Sequence, residues 1–278
     1  MTGTLFVVAT PIGNLEDLSP RARQTLEAVD LIAAEDTRHT GRLLSHFGVK
    51  TPLFALHDHN EEKVVQTLMA ELIKGKSVAL VSDAGTPLIS DPGYRLVSGA
   101  HANAIRVVPV AGPCAVTVAL SAAGLPTDRY CFEGFLPAKQ KARRDRIAAL
   151  VRESRSIVIY ESVHRIRDCF ADLVAAFGDD RPAFVGRELT KMHEQCVQAP
   201  LAGLLRQLDE GDIPAKGEFV LIVTGSDETP ALSLDIDDLL RDLAEHLPPK
   251  TAAKIAANAT GESRNDLYRR LLMLADRK

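Results

Sequence analysis

The chain has 278 residues, of which 46% are hydrophobic, and its formal net charge is −4. This length suits about two domains of ordinary size, and no apolar run approaches the roughly 18 residues of a membrane span. The start of the chain lacks the basic region of a signal peptide. Four widely spaced cysteines (Cys114, Cys131, Cys169 and Cys196) form no C-x-x-C pair. We therefore expect a cytoplasmic protein with reduced, buried thiols.

Positive charge is concentrated in two segments. Residues 137–167 hold nine Lys/Arg against three Asp/Glu, and residues 247–278 hold seven against three. A basic face on an otherwise acidic protein is compatible with binding a polyanion. Two solvated helix faces would give the same pattern, so both interpretations stay open.

Short apolar strands alternate with helices through the first 110 residues. The strand segments are LFVVAT, LIAAE, PLFAL, SVALVSD and IRVVPV. Between them, SPRARQTLEAV predicts a helix with Ser19 as N-cap and Pro20 at its first position. EEKVVQTLMAELIK predicts another, which ends at Gly75. The alternation predicts an α/β domain with a largely parallel sheet.

A second set of strands follows, and then the character of the chain changes. The strands are RYCFEGF, SIVIYE, PAFVGRE and EFVLIVTG, separated by helices that end near Gly178 and Gly211. We predict α/β domains over residues 1–112 and 113–226, with the ligand cleft between them. Residues 227–278 are predicted to be an acidic linker and a helical extension.

Two short helices of the extension meet at Gly261. The second is predicted to begin with a capping box from Ser263 to Asp266 and carries Arg264, Arg269 and Arg270. This pattern is similar to a helix-turn-helix unit. A helical hairpin that packs on the body or on a partner subunit is the alternative.

Three strands run into loops rich in glycine and proline. VALVSDAGTPLISDPG spans residues 78–93, PIGN follows the first strand at residues 11–14, and AGPC follows VVPV at residues 111–114. Ligands of α/β proteins bind beyond the carboxyl ends of strands, where glycine permits close backbone approach. The sequence therefore predicts a cleft made of backbone-rich loops.

Other ligand motifs are absent or incomplete. No G-x-G-x-x-G follows a strand, and the GKS at residues 75–77 precedes a strand, which excludes a P-loop. The two histidines of His57-Asp58-His59 are too few ligands for a metal site, so we expect no metal. The chain has no Trp, which argues against a base-stacking platform for single-stranded RNA.

Six segments, taken in order, carry a family resemblance: ATPIGNLEDLSPRA, AAEDTRHTGRLL, LVSDAGTPLISDPG, PVAGPCAVTVALSAAGLP, FEGFLP and GEFVLIV. Together they resemble the bacterial small-subunit (16S) ribosomal RNA 2′-O-ribose cytidine methyltransferases, within the tetrapyrrole methylase-like superfamily that uses S-adenosyl-L-methionine (SAM). The resemblance implies two α/β domains with the cofactor cleft between them and a small C-terminal helical extension. It implies a homodimer that acts on 16S ribosomal RNA or the 30S subunit. SDAGTP departs from the GDP-x-x-Y/F pattern of the porphyrinoid-modifying relatives, which disfavours a tetrapyrrole substrate.

The resemblance also implies the residues that bind the cofactor. They are Pro11, Asp83, Ala84, Gly85, Thr86, Ala111, Gly112, Tyr160, Lys216 and Gly217. A ribose hydroxyl is a poor nucleophile that a nearby base would help. The candidates for this chemistry follow two strands: Asp36, Arg38, His57 and Glu61, with Glu35 and Asn60 beside them.

Several alternatives stay open at this point. Asp36 and Arg38 would equally suit a structural ion pair at a strand end, and Glu161 with Arg165 would suit one at a helix start. A porphyrinoid C-methyltransferase and a non-enzymatic RNA-binding protein of ribosome assembly are the rival functions.

Overall fold

The computed structural model describes residues 2–57, 61–226 and 236–275. Met1–Ser226 forms one compact unit and Asp227–Lys278 forms another. Within the described residues, no helix has both the length and the apolar character needed to cross a membrane.

Five parallel strands form the first sheet, in the order β3-β2-β4-β1-β5, as the alternating pattern predicts. They are β1 (Thr4–Val8), β2 (Leu31–Ala34), β3 (Leu53–Ala55), β4 (Val78–Val81) and β5 (Arg106–Val110). The helices between them are α1 (Pro20–Ala28), α2 (Thr37–Phe47), α3 (Glu61–Ile73) and α4 (Tyr94–Ala102). A short 3-10 helix (Leu15–Asp17) precedes α1.

Helices cover both faces of this sheet. Along β4, Val78 and Leu80 join a core with α3 and α4, whereas Ala79 and Val81 join a core with α1 and α2. Because alternate side chains of a strand point to opposite faces, all four residues are buried. This explains the uninterrupted apolar run of VALV, which is typical of a parallel strand.

The helix ends follow the sequence closely. Ser19 caps α1 by accepting a hydrogen bond from the N–H of Ala22 at 3.1 Å, with Pro20 as the first helical residue. After α3, Gly75 adopts φ +94°, a left-handed conformation that glycine enters at little cost. Both predicted helices are therefore confirmed.

The second sheet is mixed, in the order β6-β7-β10-β8-β9. Its strands are β6 (Tyr130–Phe135), β7 (Ser156–Ser162), β8 (Pro182–Arg187), β9 (Gln195–Pro200) and β10 (Glu218–Val223). Only β6 and β7 pair in parallel, and the other neighbours are antiparallel. The helices of this half are α5 (Ala115–Ala122), α6 (Gln140–Leu150), α7 (Ile166–Phe177) and α8 (Leu201–Glu210).

Strand β9 has no counterpart among the predicted strands. It lies at the edge of the sheet, where its residues alternate between half-buried and exposed. Cys196 on this strand is exposed and Cys114 and Cys131 are half-buried, so the prediction of four buried thiols holds only for Cys169. All four cysteines are free.

The predicted division between residues 112 and 113 falls between the two sheets. Both sheets nevertheless belong to the one compact unit that ends at Ser226. The division into two α/β domains therefore stays a prediction. The structure shows one sheet before the predicted boundary and one sheet after it.

The C-terminal unit contains α9 (Ile236–His246), α10 (Pro249–Thr260) and α11 (Arg264–Ala275). They share a core that includes Leu240, Ala253 and Leu267. Gly261 ends α10 in the left-handed conformation, as predicted. The Asp266 carboxylate pairs with Arg269 at 2.6 Å, and the N–H of Asp266 donates to the backbone carbonyl of Ser263, in place of the predicted capping box.

Candidate functional site

A cavity of about 600 Å³ lies between the two sheets of the first unit. Its first wall consists of the loops that follow β1, β2, β4 and β5, and its second wall consists of the adjoining ends of β6, β7, β8 and β10. Because β10 runs antiparallel to β7 and β8, its first residues lie at the same edge as their last residues. This is the edge at which α/β sheets bind ligands.

The three Gly/Pro loops are hydrogen-bonded to one another. Thr10 and Gly85 exchange two backbone hydrogen bonds, with N···O distances of 2.9 and 3.1 Å. The Thr86 hydroxyl donates to the carbonyl of Pro113 at 3.0 Å. Gly85 has φ +86°, and a Cβ atom there would lie 3.1 Å from Cγ2 of Ile12. The loops are thus fixed relative to one another before any ligand binds.

The loop after β4 holds two non-glycine residues in the left-handed region, Leu88 at φ +74° and Ser90 at φ +75°. Each such residue costs on the order of 1–3 kcal/mol and persists only where its surroundings impose the conformation. Glu61 supplies part of that restraint, because its Oε1 accepts hydrogen bonds from the N–H groups of Gly93 at 3.2 Å and Arg95 at 3.3 Å.

Carboxylates are the charged groups of the cavity wall. They are Glu35, Asp83, Asp91, Glu161 and Glu218, and the described wall contains no Lys, Arg or His. Such a wall favours a cationic ligand and disfavours a polyphosphate.

Asp91 was not among the residues that the sequence predicts for the site. Burial and the charges of Glu35 and Asp83 raise its pKa to about 6, although a hydrogen bond from Ser82 works in the opposite direction. A carboxyl with a raised pKa in a cleft is a candidate for proton transfer. Its sequence signal is weak, since it is one acidic residue at the far end of the long loop SDAGTPLISDPG.

The predicted cofactor residues divide into two groups. Those that line the cavity are Asp83, Ala84, Gly85, Thr86, Tyr160 and Gly217. Pro11, Ala111, Gly112 and Lys216 lie in the adjoining turns, outside the described wall. Two of these four support the loops: the Ala111 carbonyl accepts from the Ser19 hydroxyl, and the Lys216 carbonyl accepts from Arg187 Nε.

Tyr160 stands among aromatic rings at the second wall. Its ring centroid lies 4.9 Å from that of Phe132 and 5.6 Å from that of Phe135, both edge-on. Burial raises the pKa of Tyr160 well above its ordinary value. The phenol is therefore neutral at physiological pH and can donate or accept a hydrogen bond.

Asp36 and Arg38 form an ion pair at the start of α2. The carboxylate of Asp36 caps the helix by accepting from the N–H of Arg38 at 2.8 Å, and it also binds the Arg38 guanidinium at 2.8 Å. These hydrogen bonds lower the pKa of Asp36, which makes it a poor base. The N–H of Asp36 donates to Oδ1 of Asp83 at 2.9 Å, so this residue positions Asp83.

Of the other candidates for this chemistry, Glu35 lines the cavity, whereas Arg38, His57 and Glu61, like Asp36, lie outside the described cavity wall. Glu61 holds the start of α4, and His57 is half-buried just after β3. Asp58, His59 and Asn60 lie outside the described residues, so the structure does not describe the His57-Asp58-His59 segment as a whole. Elsewhere in the described chain, no group of three His, Cys, Asp or Glu residues is arranged to hold a metal ion.

Glu161 and Arg165 form the second predicted ion pair, at 2.7 Å. The Glu161 side chain is fully buried, and its Oε1 also accepts from the N–H of Ser162 at 2.7 Å. Arg165 donates in addition to the carbonyl of Leu136 at 3.1 Å. The pair therefore joins β7, the start of α7 and the segment after β6 at the cavity wall.

These features define an α/β protein with an acidic small-molecule cleft between two sheets. The tetrapyrrole (corrin/porphyrin) methylase family matches residues 4–205, and the RsmI C-terminal HTH domain matches residues 230–275. The chain is 54% identical to the ribosomal RNA small subunit methyltransferase I of Xylella fastidiosa (strain Temecula1), over 96% of this chain and 98% of that protein. It is 53% identical to the protein of that name from Escherichia coli O157:H7, over 96% of this chain and 94% of that protein.

The chain belongs to the tetrapyrrole methylase family, and within it to the family of ribosomal RNA small subunit methyltransferases I. It also shares its fold with a uroporphyrin-III C-methyl transferase from Thermus thermophilus that was solved in complex with S-adenyl homocysteine. That likeness has a TM-score of 0.54 at 16% identity and covers 80% of this chain and 97% of the other. The predicted fold class is confirmed.

Proposed function

We propose that this protein transfers a methyl group from SAM to the ribose 2′-hydroxyl of a cytidine in 16S ribosomal RNA of the small subunit. The observation that carries the proposal is the acidic cavity between the sheets, in a chain whose relatives are named small-subunit ribosomal RNA methyltransferases. Such a substrate places the protein in the bacterial cytoplasm.

The residues of the cavity suit SAM. Its volume of about 600 Å³ lies within the roughly 300–1,000 Å³ typical of small-molecule sites. SAM supplies an electrophilic methyl group on a positively charged sulfonium, and the carboxylates of the wall complement that charge. Asp83, Ala84, Gly85 and Thr86 on one wall and Tyr160 and Gly217 on the other would hold the cofactor.

The remaining contribution of the protein is orientation and exclusion of water. The hydrogen-bonded loops of the first wall fix where the cofactor residues stand, and a closed cleft would strip water from the reactants. In-line transfer gains most from these two effects. The name of the relatives and the sequence SDAGTP together favour RNA over a porphyrinoid as the acceptor of the methyl group.

Two measurements test the proposal. Isothermal titration with SAM should give saturable binding, whereas a protein with a vestigial cleft would give no heat. Transfer of a radiolabelled methyl group should occur to 30S subunits or 16S ribosomal RNA that lacks the modification, with the label recovered in a 2′-O-methylcytidine. Label recovered in a porphyrinoid instead would assign the rival activity.

Asp83→Ala should weaken SAM binding by roughly 5- to 150-fold, which corresponds to the loss of about 1–3 kcal/mol for a buried polar contact. The variant loses both the charge and the acceptor of the Asp36 N–H. Asp83→Asn keeps an oxygen acceptor and is the matched control for loop positioning. Unchanged affinity in both folded variants, measured by titration calorimetry, would move the cofactor site elsewhere.

We also propose that the C-terminal unit docks the RNA. From the sequence alone, the simplest test of RNA docking is to delete residues 248–278. This deletion would remove two of the three helices that share one core, so substitutions in the full chain are preferable because they leave that core intact. Arg270 of α11 pairs with Asp237 of α9 at 2.5 Å and is best left intact because this pair joins two helices, whereas Arg269 pairs within its own helix.

The double variant Arg264→Ala/Arg269→Ala should raise the apparent KM for 30S subunits about tenfold and reduce its salt dependence, because fewer phosphate contacts release fewer counterions. SAM affinity should stay within about twofold. Arg106→Ala/Arg206→Ala, which removes two exposed arginines of the first unit, is the control. Equal effects of the two double variants would contradict RNA docking by this unit.

The homodimer implied by the family resemblance is part of this proposal. Light scattering coupled to size-exclusion chromatography should give twice the chain mass of 30.1 kDa. A mass of one chain at micromolar concentration would remove the dimer from the proposal.

A further inference from the structure

We propose that Asp91 and Phe135 form the nucleotide end of the cavity, where Asp91 accepts the proton of the ribose hydroxyl and Phe135 stacks on an unstacked base. This inference rests on the proposed function and names the residues that would receive its substrate. Both residues line the cavity, one from each wall.

The two residues are presented by segments that meet across the cavity. Ser90, held at φ +75°, directly precedes Asp91. A Cβ atom on Gly134 would lie 3.2 Å from the Ser90 hydroxyl oxygen, and Gly134 directly precedes Phe135. The strained loop of the first wall and the end of β6 are therefore in contact beside both side chains.

Most other carboxylates of the wall already have structural partners. Asp83 accepts from the N–H of Asp36, Glu161 binds Arg165 through Oε1 while its buried Oε2 has no hydrogen-bond partner among the described residues, and Glu218 binds Lys191 at 2.9 Å with its side chain 79% exposed. Asp91 instead faces the carboxylates of Glu35 and Asp83, the hydroxyl of Ser82 and, more remotely, the phenol of Tyr160.

This environment suits a general base. With a pKa raised to about 6 by burial and by the neighbouring negative charges, Asp91 is ionised at pH 7.5, yet it binds a proton more tightly than an ordinary aspartate. Catalytic efficiency is greatest when the pKa of the base lies near the working pH. The lowered pKa of Asp36 makes that earlier candidate less suitable.

Phe135 is an unusual residue to leave in solvent. The residue is 56% exposed although it lines the cavity and packs edge-on against Tyr160. Enzymes that do chemistry on a base take it out of the stack and hold it against aromatic or apolar side chains, and Phe135 would hold the base of the target nucleotide in the same way. A single aromatic ring at the cavity mouth is enough to stack on one base, so the absence of Trp does not exclude this role.

The proposed reaction is methyl transfer to the ribose hydroxyl with loss of its proton. The hydroxyl oxygen of the ribose forms a bond to the methyl carbon, and the carbon–sulfur bond breaks with its electron pair remaining on sulfur. The hydroxyl proton passes to the carboxylate of Asp91 and is then released to water. No further reactant is needed.

Asp91→Asn should lower the single-turnover rate of methyl transfer by about 10²- to 10⁴-fold, the usual contribution of a general base, while SAM affinity stays within about threefold. The wild-type rate should fall as the pH drops below about 6, because Asp91 becomes protonated, and the variant should lack this limb. Asp180→Asn, in the exposed turn before β8 and at the opposite end of that strand from the cavity residue Gly186, is the control.

Phe135→Leu should raise the KM for the RNA substrate about tenfold with unchanged SAM affinity. Phe135→Tyr should keep the wild-type KM, because both aromatic rings stack on a base.

For Asp91, a readout independent of turnover is carboxyl ¹³C NMR of the cofactor-free protein. One carboxyl should titrate near pH 6, and its signal should be absent from Asp91→Asn.

Three outcomes would overturn the inference while leaving the proposed function intact. They are a wild-type rate and pH profile in a folded Asp91→Asn variant, a loss of SAM affinity greater than tenfold in either variant, and no carboxyl titrating above pH 5 in the wild type. The last measurement needs no variant to fold. Failure of the wild type to methylate 16S ribosomal RNA would instead remove the proposed function itself.

Discussion

Gly85→Val should abolish measurable SAM binding, with a loss of at least about 100-fold. Its backbone, at φ +86°, is held by the two hydrogen bonds to Thr10 and cannot rotate to relieve a side chain. A Cβ would already stand 3.1 Å from Ile12, which lines the same cavity. Overpacking of this kind costs about 1–3 kcal/mol, and here the added methyl groups take space that a ligand needs.

Gly211→Val provides the matched control for this experiment. Gly211 has φ +90° and no atom within 4 Å of its Cβ position, where it ends α8. Both variants should lose on the order of 1–3 kcal/mol of unfolding free energy from backbone strain. Titration calorimetry should separate them, since only the change at Gly85 affects the cofactor. Equal SAM affinity in the two variants would show that the loop after β4 does not bind it.

Asp172→Ala should lower the free energy of unfolding by about 3–5 kcal/mol. The Asp172 carboxylate binds Arg143 Nε at 2.8 Å and Arg144 Nε at 2.7 Å. The Arg143 side chain is 3% exposed, and a guanidinium cannot lose its charge by deprotonation. Removing Asp172 therefore leaves a buried positive charge without its counter-charge.

The comparison with Arg144→Ala isolates that effect. Arg144 is 61% exposed, so its loss should cost less than about 1 kcal/mol. The double variant Arg143→Met/Asp172→Leu replaces the buried pair with apolar groups and should recover most of the loss. Urea unfolding followed by circular dichroism measures all three. A loss in Asp172→Ala no larger than that in Arg144→Ala would show that the buried charge is tolerated.

The parts of the fold that bury a continuous apolar run were readable from sequence. VALV and SIVIYE mark strands because both faces or most of their length are buried. Strand β9 could not be recognised in the same way, because QCVQAP lies at a sheet edge where solvent accepts polar side chains. Its pairing with β8 is set by the tertiary fold, as strand propensity depends on context.

The loops that line the cavity could be recognised from the sequence, whereas the roles of their individual side chains stay predictions. Gly85 and Thr86 belong to a loop with a distinctive amino-acid sequence, and both line the cavity. Asp36 and Glu61 were also predicted because they follow strands, but the Asp36 carboxylate caps its own helix α2 and that of Glu61 accepts from backbone N–H groups at the start of α4. Sequence does not reveal which acidic side chain is occupied in this way, nor that Asp91 folds back toward Glu35 and Asp83.

The position of β10 has a consequence for how the protein is made. This strand is the last of its sheet in the chain, yet it lies between β7 and β8, which do not pair with each other. Until Glu218–Val223 has left the ribosome, the second sheet can exist only as two separate strand pairs, β6 with β7 and β8 with β9. At a synthesis rate of about 5–20 residues per second, β7 waits several seconds for this partner. A nascent chain that stalls before residue 218 should therefore expose the apolar edges of both pairs, and the cavity wall that β10 completes cannot form until the strand arrives.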